Sequence, residues 1–95
     1  MQFTVFHNAN PNTRVAVPFL LNVQRDLIDK AATCVVVPLI PIARAATPAS
    51  RLMPVFELDG ERVVMDTLQL AGVPRKALGA PAADLSPERA TILAA

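Results

Sequence analysis

The chain has 95 residues, 53% of them hydrophobic and 18% charged, with nine basic and eight acidic side chains and a formal net charge of +1. That length holds one modest core. A mean hydropathy of +0.40 on so small a body predicts a single domain that spends apolar surface on a partner, a second copy first. The same balance excludes a disordered charged tail and a dense phosphate-neutralising face; four Phe with no Trp or Tyr exclude a base-stacking platform.

Residues 2–7 alternate, Phe3 and Val5 against Thr4 and Phe6, and predict a strand with one face on the core. The Asn- and Pro-rich run 8–13 predicts a loop. A second strand is expected over about 15–23, with Pro18 placing part of it at an edge or bulge. Residues 24–30 mix charges with the apolar pair Leu27 and Ile28 and predict a connecting loop. Residues 33–39, with Val35, Val36 and Val37 in succession, give the strongest strand signal. Pro38, Pro41 and Pro48 predict an irregular excursion from there to Ser50.

The most specific local signal is Asp59-Gly60, flanked by residues 54–58 and 61–66. It supplies the positive φ angles of a type I′ turn and predicts an antiparallel hairpin. Residues 68–78, holding Gly72 and Pro74, predict a turn and then a short strand. Ser86 is the expected N-cap of a helix, with Pro87 at its first position and Glu88 near the positive end of its dipole. Strands are thus expected over about 1–80 and one helix from about 86. No Gly, Asn or basic residue closes that helix, so the chain is expected to continue past Ala95.

Catalytic chemistry finds little to build on. Cys34 is the single cysteine, which excludes an internal disulfide and a thiolate metal site and suits a reducing cytoplasm. The N-terminal twenty residues lack the pattern of a signal peptide. The longest apolar run, 34–43, is about half the roughly 20 residues a membrane span needs. His7 and Cys34 would be the minimum nucleophilic couple, but a Cys in an apolar strand is ordinarily buried and inert. Asp26 and Asp29 form no recognisable metal set, and three glycines make no phosphate loop; no cofactor is expected. Arg14, Arg25, Arg44, Arg51, Arg62, Arg75 and Arg89 are scattered, as on a solvated surface. The residues themselves thus predict a small, mostly β, self-associating protein that is not an enzyme.

Several stretches, taken together, resemble the CcdB toxins of toxin–antitoxin pairs. They are Met1-Gln2-Phe3-Thr4-Val5, then residues 22–29 (Asn-Val-Gln-Arg-Asp-Leu-Ile-Asp), then Val36-Val37-Pro38-Leu39 reaching Arg44. Met53-Pro54-Val55, Asp59-Gly60, Gly72-Val73-Pro74 and Ala83-Asp84-Leu85-Ser86 follow in the same order with similar spacing. The resemblance implies a mainly β fold, an SH3-like small barrel of antiparallel strands with one C-terminal α-helix, assembled as a homodimer. It implies binding to the A subunit of DNA gyrase, trapping of the enzyme on cleaved DNA, and neutralisation by a CcdA-like antitoxin. Operator DNA is implied only indirectly, through the antitoxin complex.

Residue by residue, Leu27 and Ile28 match the family's gyrase-facing positions. Two apolar side chains in a charged loop suit a contact patch, and their plain alternative is inward packing. In the family a tail beyond the last helix carries the poisoning contacts, and Ala95 falls about two helical turns before its end. Two other functions stay open: an endoribonuclease toxin on the same barrel architecture, with Arg14, Arg25 and Asp26 as its nearest imitation of a site, and a non-toxic homologue that binds only antitoxin.

Overall fold

The computed structural model describes residues 2–24, 33–44 and 53–95. Seven strands and one helix are present there: β1 (Thr4–Asn8), β2 (Phe19–Asn22), β3 (Thr33–Pro41), β4 (Val55–Leu58), β5 (Glu61–Met65), β6 (Ala71–Pro74), β7 (Leu78–Asp84) and α1 (Arg89–Leu93). All pairings are antiparallel, in the order β4-β5-β3-β2-β1-β7, with β6 on β3 off that path. The expected mainly β architecture is borne out: the sheet curls into a half-barrel finished by one short C-terminal helix.

The valine-rich strand β3 is the spine. One edge carries β2, with Phe19 opposite Leu39 and Asn22 opposite Val36. The other edge is shared, β5 pairing with Leu39–Pro41 and β6 with Thr33–Val36. Strand alternation sends Val37 and Leu39 to the inner face, where they join Val5, Leu21, Phe56, Leu58, Val63 and Met65. Phe3, Leu85 and Ile92 close that cluster from the chain ends. Cys34 and Val36 point to the outer face with Leu20, flanked by Val17, Val73 and Leu78. Both faces of β3 are therefore covered, which is why its valines run on without a polar interruption.

The strand expected over 33–39 runs two residues further, to Pro41, with Pro38 inside it. The Pro38 carbonyl accepts from Asp66 N–H at 2.9 Å and so faces the shared edge. The N and carbonyl of one residue point the same way in an antiparallel ladder, so the missing N–H falls in the gap between β5 and β6, where no strand carbonyl requires it. The expected excursion begins only at Ile42–Arg44, a short 3-10 turn; residues 45–50 lie outside the described residues.

The second strand is shorter than the expected 15–23. Residues 11–16 turn instead, with Arg14 N–H donating to the Asn10 carbonyl at 3.0 Å and Val17 N–H to the Thr13 carbonyl at 2.8 Å. Asparagine side chains drive this. Asn8 Oδ1 accepts from Asn10 N–H and Asn10 Oδ1 from Asn12 N–H, both at 3.0 Å, while Asn8 Nδ2 donates to Thr13 Oγ1 and the Val17 carbonyl, both at 2.9 Å. Such local bonds compete with strand pairing and here override the apolar pattern.

The Asp59-Gly60 hairpin is as expected, with φ of +49° and +81° and Leu58 paired with Glu61. Beyond it, residues 68–78 hold more structure than a turn and one strand. Short 3-10 turns at Thr67–Gln69 and Arg75–Ala77 bracket β6, and β7 then runs to Asp84. Its Ala- and Pro-rich sequence has weak strand propensity, but β7 ends the sheet path, and Pro81 sits opposite Phe6 where the register with β1 shifts. The helix also starts differently. Ser86 does not cap it; Asp84 accepts from Ser86 N–H at 2.9 Å and from Ser86 Oγ–H at 3.0 Å, and a 3-10 turn at Ser86–Glu88 leads into α1.

The three glycines separate conformational from steric demand. At Gly60 a Cβ meets open space but the backbone is left-handed, at Gly79 it would lie 2.9 Å from the His7 carbonyl oxygen, and at Gly72 it meets nothing within 4 Å. In urea unfolding, Gly60→Ala is expected to cost about 1 kcal/mol through backbone strain. Gly79→Ala costs about 1–3 kcal/mol by crowding β1, and Gly72→Ala stays within about 0.5 kcal/mol of the parent.

Candidate functional site

Leu27 and Ile28 lie outside the described residues. What is described is the ground on which their segment stands, the end of β2 and the start of β3. Asn22, the last residue of β2, is fully buried. Its Oδ1 accepts from Gln24 N–H at 2.9 Å and from the Cys34 thiol at 3.0 Å. Gln24, expected in a solvated loop, is buried as well. Its Oε1 accepts from Val35 N–H at 3.1 Å and its Nε2 donates to the Thr33 carbonyl at 3.5 Å. An internal polar side chain is costly unless bonded, and these two carry bonds from both strands.

The same cluster reaches the C-terminal helix through Phe3. Phe3 N–H donates to the Asn22 carbonyl at 2.6 Å, and the Phe3 carbonyl accepts from Leu85 N–H at 2.8 Å. To make both bonds Phe3 takes φ +67°, a left-handed conformation that a bulky residue adopts only when its surroundings impose it. Its ring is buried in the inner cluster, with the Arg89 guanidinium 5.7 Å from the ring centroid. Ile92 anchors α1 from below while Leu93 faces solvent. The helix and the base of segment 25–32 thus hang from adjacent points of one hydrogen-bonded chain.

On the outer face, a groove of about 210 Å³ lies between Val17 and Val73, over the cross-strand pair Leu20 and Pro38, with Asn10 and Thr13 also lining it. Exposed apolar side chains stand elsewhere: Val15, Leu68, Leu70 and Leu93. Surface of this kind suits contact with another macromolecule better than chemistry on a small substrate.

The groups considered for catalysis have separate settings. The Cys34 thiol is buried against Asn22, whereas His7 is exposed with its ring 5.3 Å from that of Phe19, tilted by 44°. Among the described residues no three His, Cys, Asp or Glu side chains gather as metal ligands, and no helix is long and apolar enough to cross a membrane. Asp26 and Asp29, with Arg25 and Arg51, lie outside the described residues; Arg14, Arg62 and Arg89 are exposed.

Sequence reasoning missed Asn22, Gln24 and the backbone of Phe3. The available signal was the two amides at period-2 spacing around Val23, at the end of an apolar strand. Such a pair either faces solvent or is bonded inside, and composition does not separate the two. Replacing Asn22 by Leu strands the buried Gln24 N–H; urea unfolding is expected to show a loss of about 1–3 kcal/mol.

A family model described as CcdB protein matches residues 2–95. No curated protein matches the chain.

Proposed function

The chain belongs to the CcdB family, and on that premise we propose that it is a toxin that binds the A subunit of DNA gyrase and holds the enzyme on cleaved DNA. The family suggests a toxin of a toxin–antitoxin system. The observation that carries the finer proposal is the match across residues 2–95, joined to a curled antiparallel sheet finished by a C-terminal helix. In this role the protein works by contact. Leu27 and Ile28 supply apolar surface to gyrase, where a few central apolar side chains set most of the affinity.

The working assembly in this proposal is a homodimer in the cytoplasm. A CcdA-like antitoxin removes it from gyrase, and operator DNA is reached only through the antitoxin complex. The exposed Leu68, Leu70 and Leu93 are apolar surface available to such partners.

Added to gyrase and supercoiled DNA, the full-length protein is expected to raise the level of gyrase-linked double-strand breaks; breaks that stay at the level of gyrase alone overturn the proposal. Leu27→Glu and Ile28→Glu should each weaken binding to the gyrase A subunit by about tenfold or more, since a charge is forced into an apolar contact. Thermal unfolding should move little in both variants. A fall of several degrees without loss of binding would assign the pair to the core.

A further inference from the structure

We infer that Gln24 is a positioning residue: its side chain replaces a backbone partner in the β2–β3 ladder and so fixes the strand ends at residues 24 and 33, between which Leu27 and Ile28 fall in the sequence. The inference rests on the gyrase-facing role proposed for that pair and adds to it a residue that holds the two strand ends bounding their segment.

The ladder itself carries the argument. In an antiparallel hydrogen-bonded pair each residue donates to the other's carbonyl, so Val23 and Val35 would exchange two bonds. Only half of that exchange is made. Val23 N–H donates to the Val35 carbonyl at 3.1 Å, but Val35 N–H donates to Gln24 Oε1 at 3.1 Å. The Val23 carbonyl is turned instead to Gln2 Nε2, at 3.4 Å. The backbone therefore departs from regular pairing at Val23, and the next residue returns its side chain to occupy the vacated acceptor position.

Two further hydrogen bonds and burial hold Gln24 in that posture. Its own N–H is held by Asn22 Oδ1 at 2.9 Å, its Nε2 donates to the Thr33 carbonyl at 3.5 Å, and its side chain is largely withdrawn from water. Residues 24 and 33 are thus clamped to each other across the segment they bound. A side chain fixed at both its root and its tip holds residues 24 and 33 in register far more closely than a solvated glutamine would. The cost of departing from the ladder is offset because Val23 N–H and carbonyl, Val35 N–H and Gln24 N–H each find a partner.

The test compares Gln24→Leu, close in size but unable to make either amide bond, with Val63→Ala, a core substitution on β5 that also lowers stability. Both are assayed well below their unfolding temperatures. Gln24→Leu is expected to weaken binding to the gyrase A subunit about tenfold and to move the backbone amide NMR shifts of residues 25–32. Val63→Ala is expected to leave both near the parent values. Equal affinity losses in the two variants, an unchanged affinity in Gln24→Leu, or unmoved shifts across 25–32 would each overturn the inference.

Should Gln24→Leu not fold, Gln24→Glu is judged by the same criteria, because it keeps an acceptor for Val35 N–H but as a carboxylate cannot donate to Thr33. A parent protein that fails to bind gyrase overturns the proposed function, and the NMR arm still decides whether Gln24 positions the segment.

Discussion

A strand whose two faces and two edges are all occupied constrains everything around it, and β3 is that strand. Its inner residues Val37 and Leu39 sit in the main cluster, and its outer residues Cys34 and Val36 sit beneath a second one. Each fully buried Val or Leu contributes about 1.5–3 kcal/mol relative to exposure, so β3 is a principal source of stability. Because β5 and β6 share one of its edges, the break between them must fall at a fixed place, and Pro38 occupies it. The remaining strands extend the sheet from β3 to its ends at β4 and β7.

Where local chemistry and tertiary pairing agreed, the sequence was legible. The valine run became β3 and Asp59-Gly60 became a left-handed two-residue turn, because each carries its own physical reason. Where they competed, it was not. The apolar spacing after residue 15 argued for strand, but Asn8 and Asn10 bonded their neighbours first. The Ala-rich stretch around Pro81 has weak strand propensity of its own, and pairing with β1 holds it as a strand. Propensity is a weak prior beside a partner strand.

The candidate site divides along the same line. The apolar pair Leu27 and Ile28 could be singled out because two such residues among charges are conspicuous and the family resemblance gave them a role. The buried amides at the end of β2 could not, because Asn22 and Gln24 look like ordinary polar residues at a strand end. Their burial and bonding depend on Thr33, Cys34 and Val35, which become neighbours only when β2 pairs with β3. The proposed contact pair was therefore easier to single out than the buried amides of the neighbouring strand ends.

The buried thiol of Cys34 has an experimental consequence. It is the sole sulfhydryl in the sequence and is shielded from solvent where β3 pairs with β6, opposite Val73 and bonded to Asn22. An alkylating reagent reaches it only when that pairing opens, so the labelling rate becomes an intrinsic gauge of how often the centre of the sheet breathes. No reporter group need be engineered to follow that opening, and a partner that clamps the sheet shut would announce itself as a slower reaction at a single sulfur.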